Sequence, residues 1–256
     1  MSDAYQLTPE QRQVYLRFSG LALPRHTSYP IAPIWSDQFG GAAYRQELGR
    51  LGSNRSALSL YVHIPYCERL CYYCACSKEI FAPDRRRVAD PVPSLLEGFR
   101  AEVERLSSVT GASEVKAIHW GGGSPTFLDP TDIQTLFEMF RTRFSIASDA
   151  ELAIEIDPRI TTLRQLEALR GLGFNRISLG VQDFDPHVQA AVNRIQPFEV
   201  VERTVGQCRA LGFESINFDL IYGLPFQDIK SLEDTLGKAV RLSPDRIAFY
   251  RLAVIP

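Results

Sequence analysis

Apolar residues recur along this chain in two rhythms. Six short runs rich in β-branched and aromatic residues each close on loop-forming residues: ALSLYVHIP (57–65), VKAIHWGGG (115–123), ELAIEIDP (151–158), RISLGVQD (176–183), SINFDLIYGLP (215–225) and RIAFYRLAVIP (246–256). Such runs predict buried strands. Between them the apolar spacing lengthens to three and four residues. In DPTDIQTLFEMFRTRF, Ile133, Leu136, Phe137, Phe140 and Phe144 form one stripe, with Asp129 placed to cap the helix and Pro130 in its first turn. Leu95, Leu96, Phe99, Val103 and Leu106 make a second stripe, and Val201, Val205, Cys208 and Leu211 a third. Strands alternating with helices predict βαβ units and a parallel sheet. LGFNRISLG at 172 and LGFESINFD at 211 share a rhythm, with Gly173 and Gly212 ending a helix before each strand. Repeated β/α units point to a barrel or part of one, although an open flavodoxin-type sheet gives the same local signals.

The first 55 residues differ. They are rich in loop signals, with Pro24, Pro30 and Pro33 and one short helical start near Thr8. They read as an N-terminal arm (1–55) ahead of a β/α body (56–256). The chain stops directly after the sixth apolar run, which reads as a truncated body with a C-terminal domain absent.

Composition narrows the class without naming a chemistry. The chain has 256 residues, 45% hydrophobic and 23% charged, as expected of a soluble globular protein. A net charge of -2 supplies no global basic field, so no nucleic-acid partner is expected. No apolar run approaches ~18 residues, so no membrane span is expected. The polar start, MSDAYQLTPEQRQ, lacks the order of a secretory signal. These features imply a cytoplasmic protein, where thiols stay reduced.

The cysteines are the exception to this plain picture. Four of five crowd into HIPYCERLCYYCACSKEI, as Cys67-x3-Cys71-x2-Cys74-x-Cys76. A structural zinc site normally takes two widely separated ligand pairs, and no second pair is present. Three thiolates from one loop suit three irons of a [4Fe–4S] cluster, the fourth iron being left to an outside ligand. A zinc site completed by a distant residue, or buried core thiols, are the alternatives. Cys76 is read as a non-ligand near the site and Cys208 as core. His63 reads as orienting the loop or packing, and DRRR (84–87) as a solvated face. GGGSPT follows the second strand, where glycines allow close approach to backbone. Glu155 and Asp157 share a strand face, and flanking isoleucines argue that these carboxylates need partners. Asp219, in the apolar NFDLIYG, needs one too.

YVHIPYCERLCYYCAC resembles the signature of the radical S-adenosylmethionine (SAM) enzymes and, within them, of the oxygen-independent coproporphyrinogen III oxidase (dehydrogenase) family. The resemblance extends through PRHTSYP, IHWGGGSPTFL, EIDPR, FNRISLGVQDF and NFDLIYGLPFQ, about residues 24 to 250. It implies a partial (β/α)6 TIM-like barrel with an irregular N-terminal arm. Cys67, Cys71 and Cys74 would bind [4Fe–4S]. SAM would chelate the open iron, and its reductive cleavage would give a 5′-deoxyadenosyl radical that oxidatively decarboxylates two propionates of coproporphyrinogen III to vinyls, for haem synthesis. Two SAM molecules are implied, with an unidentified electron donor as partner. The resemblance puts Tyr61, Tyr73, Cys76, Gly122, Gly123, Ser124, Glu155, Gln182, Arg194, Asp219 and Ala253 around SAM. Arg25 and Tyr29 would face the porphyrinogen. Two departures stand out: Ser124 replaces the usual Thr, and Val254 replaces a histidine. A haem-binding chaperone-like paralogue, or a radical SAM methyltransferase or haem-modifying enzyme, are the alternatives from the same branch.

Overall fold

In the computed structural model all six apolar runs become strands of one parallel sheet. The structure describes residues 8–18, 36, 39–111 and 113–253. Arg25, Tyr29, Val254 and the three arm prolines lie outside the described residues. The chain divides into two compact units, Met1–Arg45 and Gln46–Pro256. The second unit starts ahead of the 55/56 boundary expected from composition. The helical start near Thr8 is α1 (Pro9–Phe18), and a second helix, α2 (Gly41–Ser53), follows where loop was expected.

The body then runs β1 (Leu58–Ile64), β2 (Tyr66–Cys67), β3 (Glu79–Ile80), α3 (Pro83–Val88), α4 (Val92–Thr110), β4 (Glu114–Gly122), α5 (Pro130–Arg143), β5 (Ser145–Ile156), α6 (Leu163–Gly171), β6 (Arg176–Gln182), α7 (Pro186–Ala191), α8 (Phe198–Ala210), β7 (Ser215–Tyr222), α9 (Ile229–Arg241) and β8 (Arg246–Arg251). Strand order is β1-β4-β5-β6-β7-β8, and every neighbouring pair is parallel. Right-handed crossovers in an order that never reverses put every connecting helix on one face. The result is part of a barrel; β1 and β8 do not pair with each other among the described residues.

Alternation sorts the strand residues. Val62 and Ile64, Ile118 and Trp120, Ile154 and Ile156, Ile177 and Leu179, and Phe218 and Leu220 are buried in the core. That core also takes the α5 stripe (Ile133, Leu136, Phe137, Phe140), Leu166 and Leu169 of α6, and Val201, Val205 and Cys208 of α8. Phe174 is fully buried, edge-on to Trp120 at 5.1 Å and tilted against Phe137 at 5.6 Å. The alternate strand positions carry Tyr61, His63, His119, Glu155, Ser178, Gln182 and Asp219, which are only partly buried or exposed.

Local chemistry ends the helices as their residues dictate. The Asp129 carboxylate accepts from Thr131 and Asp132 N–H, capping α5 behind Pro130. Gly173 and Gly212 take φ of 97° and 79° just past α6 and α8, a conformation that glycine adopts without a Cβ penalty. The DRRR segment is more than a solvated face. Arg85 lies 4.0 Å over the Phe81 ring, and Arg86 lies 4.2 Å over Phe127 while donating to its carbonyl.

Phe174→Ala is expected to lower the unfolding free energy of the cluster-free chain by about 3–5 kcal/mol, read from urea denaturation. Asp129→Ala, which removes one cap, is expected to cost about 1 kcal/mol. Equal losses in the two variants would contradict this placement of the core.

Candidate metal and cofactor site

The cysteine loop hangs between β2 and β3, whose two-residue parallel ladder pairs Tyr66 with Glu79 and Cys67 with Ile80. Backbone bonds from Glu79 N to Pro65 O (2.7 Å) and from Phe81 N to Cys67 O (2.8 Å) close the loop's base. Side chains fix its middle. His63 Nε2 donates to the Ser77 carbonyl at 2.8 Å, which leaves Nδ1 to accept the Tyr61 hydroxyl at 3.0 Å. His63 therefore orients the loop. Lys78 Nζ donates to the carbonyls of Cys74 and Cys76. Asn193 Nδ2 donates to Leu70 O at 2.7 Å, and Tyr72 N to Val192 O at 3.0 Å, tying the loop to the segment after α7.

Cys71 is buried, Cys67 and Cys74 are half-buried, Cys76 is exposed and Cys208 is sealed in the core. Cations and donors gather on the sulfurs. Arg159 Nη2 and Arg194 Nη1 each lie 3.6 Å from Cys71 Sγ, and Ser124 Oγ lies 3.7 Å from Cys67 Sγ. Asp157 holds both guanidiniums: Arg159 donates to it at 2.6 and 3.0 Å, and Arg194 at 3.4 Å. Burial would push the Asp157 carboxyl up, but Arg194 and Arg159 outweigh it and hold it below the usual range. Donation from Cys76 brings the Cys74 thiol down to about 6, and the same bond pushes Cys76 up. Burial raises Cys67.

This donor set fits an iron–sulfur cluster. Three loop thiols, with Cys76 engaged on Cys74 instead of standing as a fourth arm, are soft donors that suit a cube with one free corner.

Beside the loop, the inner strand face carries Tyr61, Glu155, Gln182 and Asp219 of the residues expected around SAM. Glu155 Oε1 meets His119 Nε2 at 3.1 Å, and Glu155 Oε2 accepts from Gly122 N at 3.3 Å. Glu155 thus finds its first partners within the chain and remains half-exposed. Tyr61 is 60% exposed and stacks on His119. The glycine triplet fits protein closely. A Cβ on Gly122 would stand 2.7 Å from the His63 ring, and one on Gly123 would stand 2.7 Å from Tyr66 O. Asp219 accepts from Ser178 Oγ and Asn217 Nδ2, while burial raises its carboxyl. A hydroxyl and an amide are therefore its partners within the chain. Gln182 takes φ 68°, and its Oε1 is buried without a partner among the described residues; so is Arg194 Nε. These unmet groups fit a polar ligand. Tyr73 packs on the apolar group around Val188 and Ile221, where burial pushes its hydroxyl up. Ala253 lies just past β8, half-buried.

His119, Arg159 and Lys78 were missed as candidates, and Asp157 was placed on the strand face without a role. The visible signals were EIDPR for Asp157 and Arg159, and the phase of His119, two positions before Gly121 on the inner face.

After anaerobic reconstitution with iron and sulfide, Ala at Cys67, Cys71 or Cys74 is expected to abolish the [4Fe–4S] absorption and iron content. Cys76→Ala is expected to keep both. Retention of a full cluster in any of the first three variants would break the ligand assignment.

Residues 61–239 match the family model of the Radical SAM superfamily. The oxygen-independent coproporphyrinogen III oxidase of Escherichia coli (strain K12) is 41% identical over 233 residues, covering 91% of this chain and 50% of that protein. The protein of the same name from Pseudomonas aeruginosa is 42% identical over 247 residues, covering 94% and 52%. The solved structure of coproporphyrinogen III oxidase (HemN) from Escherichia coli, described as a radical SAM enzyme, superposes with a TM-score of 0.85 at 38% identity, over 95% of this chain and 53% of that one. The chain spans about half the length of these relatives. The radical SAM methyltransferase TsrM from Kitasatospora setae, at 13% identity and a TM-score of 0.52, shares the fold alone. With the barrel, the cysteine loop and the family match in agreement, this chain belongs to the radical SAM superfamily.

Proposed function

We propose that this chain carries the cluster- and SAM-binding part of an oxygen-independent coproporphyrinogen III oxidase, and that it works in the cytoplasm, because a thiolate-held cluster needs reduced cysteines. The observation that carries this reading is 41% identity running through 91% of the chain to the Escherichia coli protein of that name. Cys67, Cys71 and Cys74 hold the cluster. When bound, the cluster and SAM supply the one-electron chemistry that removes a hydrogen atom from a substrate propionate.

The residues bind and orient. Glu155, aimed by His119 and the Gly122 N–H, takes the SAM ammonium beside the backbone of Gly122, Gly123 and Ser124. The Gln182 amide and the Asp219 carboxylate receive the ribose hydroxyls, with Arg194 behind them. Tyr61, Tyr73, Cys76 and Ala253 line the remaining walls, and two SAM molecules belong to this reading. Arg25 and Tyr29 would meet the propionates, since a guanidinium pairs a carboxylate bidentately. The electron donor is a separate reductant.

Glu155→Gln, which removes a charge-assisted bond, is expected to weaken SAM binding to the reconstituted protein about tenfold. Equilibrium dialysis checks it, and unchanged affinity would remove Glu155 from the site. The activity test incubates the reconstituted chain anaerobically with dithionite, SAM and coproporphyrinogen III carrying deuterium at the propionate β-carbons. Deuterated 5′-deoxyadenosine with vinyl product is expected. Absence of deoxyadenosine would overturn the radical reading. Unlabelled deoxyadenosine would overturn the substrate and favour a paralogue of other chemistry.

A further inference from the structure

Cys71 is distinguished from the other loop thiols by its neighbours. Two guanidiniums reach its sulfur at 3.6 Å, from Arg159 and from Arg194, and the Tyr73 hydroxyl faces it as well. Arg194 is anchored elsewhere, donating to the Gly180 carbonyl at 2.5 Å. Arg159 has a narrower purpose. Its Nε and Nη2 grip Asp157 as a fork, and the same Nη2 reaches the sulfur. A planar guanidinium clamped on one edge aims its remaining donors rigidly. The Arg159 side chain is only 15% exposed, and two cations against the single Asp157 carboxylate leave a positive balance at Cys71.

Hydrogen bonds and positive charge at ligand sulfurs stabilise the more negative, reduced form of a cluster. We propose that Arg159 is a positioning residue that raises the reduction potential of the [4Fe–4S] cluster through Cys71, fixed for that task by Asp157. This rests on the cluster assignment above, and it is independent of the porphyrinogen substrate. Arg159 has three functions to separate: its charge, its donor and its fit to Asp157. Arg159→Gln keeps a donor without the charge, and Arg159→Lys keeps the charge without the fork. A cavity of about 170 Å³ lies beside it, between Cys67, Asp157, Arg159, Ile160 and Ile195. A shortened side chain therefore leaves space continuous with that cavity instead of a sealed void.

The test is a redox titration of the reconstituted protein without SAM or substrate, following the reduced cluster by electron paramagnetic resonance. Iron and sulfide are counted in each sample. Arg159→Gln is expected to make one-electron reduction about tenfold less favourable, a shift of about 59 mV to more negative potential. Arg159→Lys is expected to recover part of that shift. Full cluster content with an unshifted potential in both variants would overturn the proposal. Should Arg159→Gln fail to hold the cluster, the Lys variant decides: an unshifted potential there overturns the role of the Asp157-held fork, and a negative shift supports it. Failure to assemble any cluster in the unaltered chain would instead overturn the reading on which this one rests.

Discussion

Because a strand turns successive side chains to opposite faces, six parallel strands in an unreversed order divide this protein into two worlds. One face is closed by helices and takes Ile118, Trp120, Ile154, Leu179 and Phe218. The other collects Tyr61, His119, Glu155, Ser178 and Asp219 from five different strands. Slipping β5 or β7 by one residue would bury Glu155 or Asp219 and expose Ile154 or Phe218. The core therefore fixes where the polar groups meet, and the polar face inherits its precision from packing that never touches a ligand.

The cysteine loop exploits that precision at its two ends and in its middle. The ladder of β2 and β3 closes its base, and His63, itself an inner-face residue of β1, reaches across to the Ser77 carbonyl. The glycine triplet lets this happen, since a side chain at Gly122 would occupy the space of the His63 ring. Negative sulfur is then met by Arg159, Arg194 and Lys78. Loop, triplet and carboxylates form one fitted body.

Most of the scaffold was legible in the sequence because strong local signals agreed with the fold. The six runs, the α5 stripe with its Asp129 cap, and Gly173 and Gly212 all announce themselves within a few residues. What stayed hidden lacked local contrast. β5 begins at Ser145, not Glu151, because SIASDA is extended only by pairing Ser145 and Ile146 with Glu114 and Val115 before a register shift. α2 carries three glycines, which weaken its helical signal. At the site, cysteine spacing marked the loop and strand phase put Glu155 on the inner face. The partners of those groups were not readable, since they depend on approach between distant segments. Asp157 and Arg159 were visible as EIDPR, but nothing in that motif says that its arginine meets a sulfur.

That separation along the chain also sets a timetable. Arg159 lies 88 residues and Arg194 lies 123 residues beyond Cys71. At ribosomal speeds the last of them follows the cysteines after roughly 6–25 s. During that interval the newborn loop has its sulfurs but neither guanidinium to balance them, and no finished sheet to hold their spacing. Iron delivered before β6 and the segment after α7 have emerged would meet a floppy thiol peptide, so faithful loading belongs after synthesis of this part of the chain.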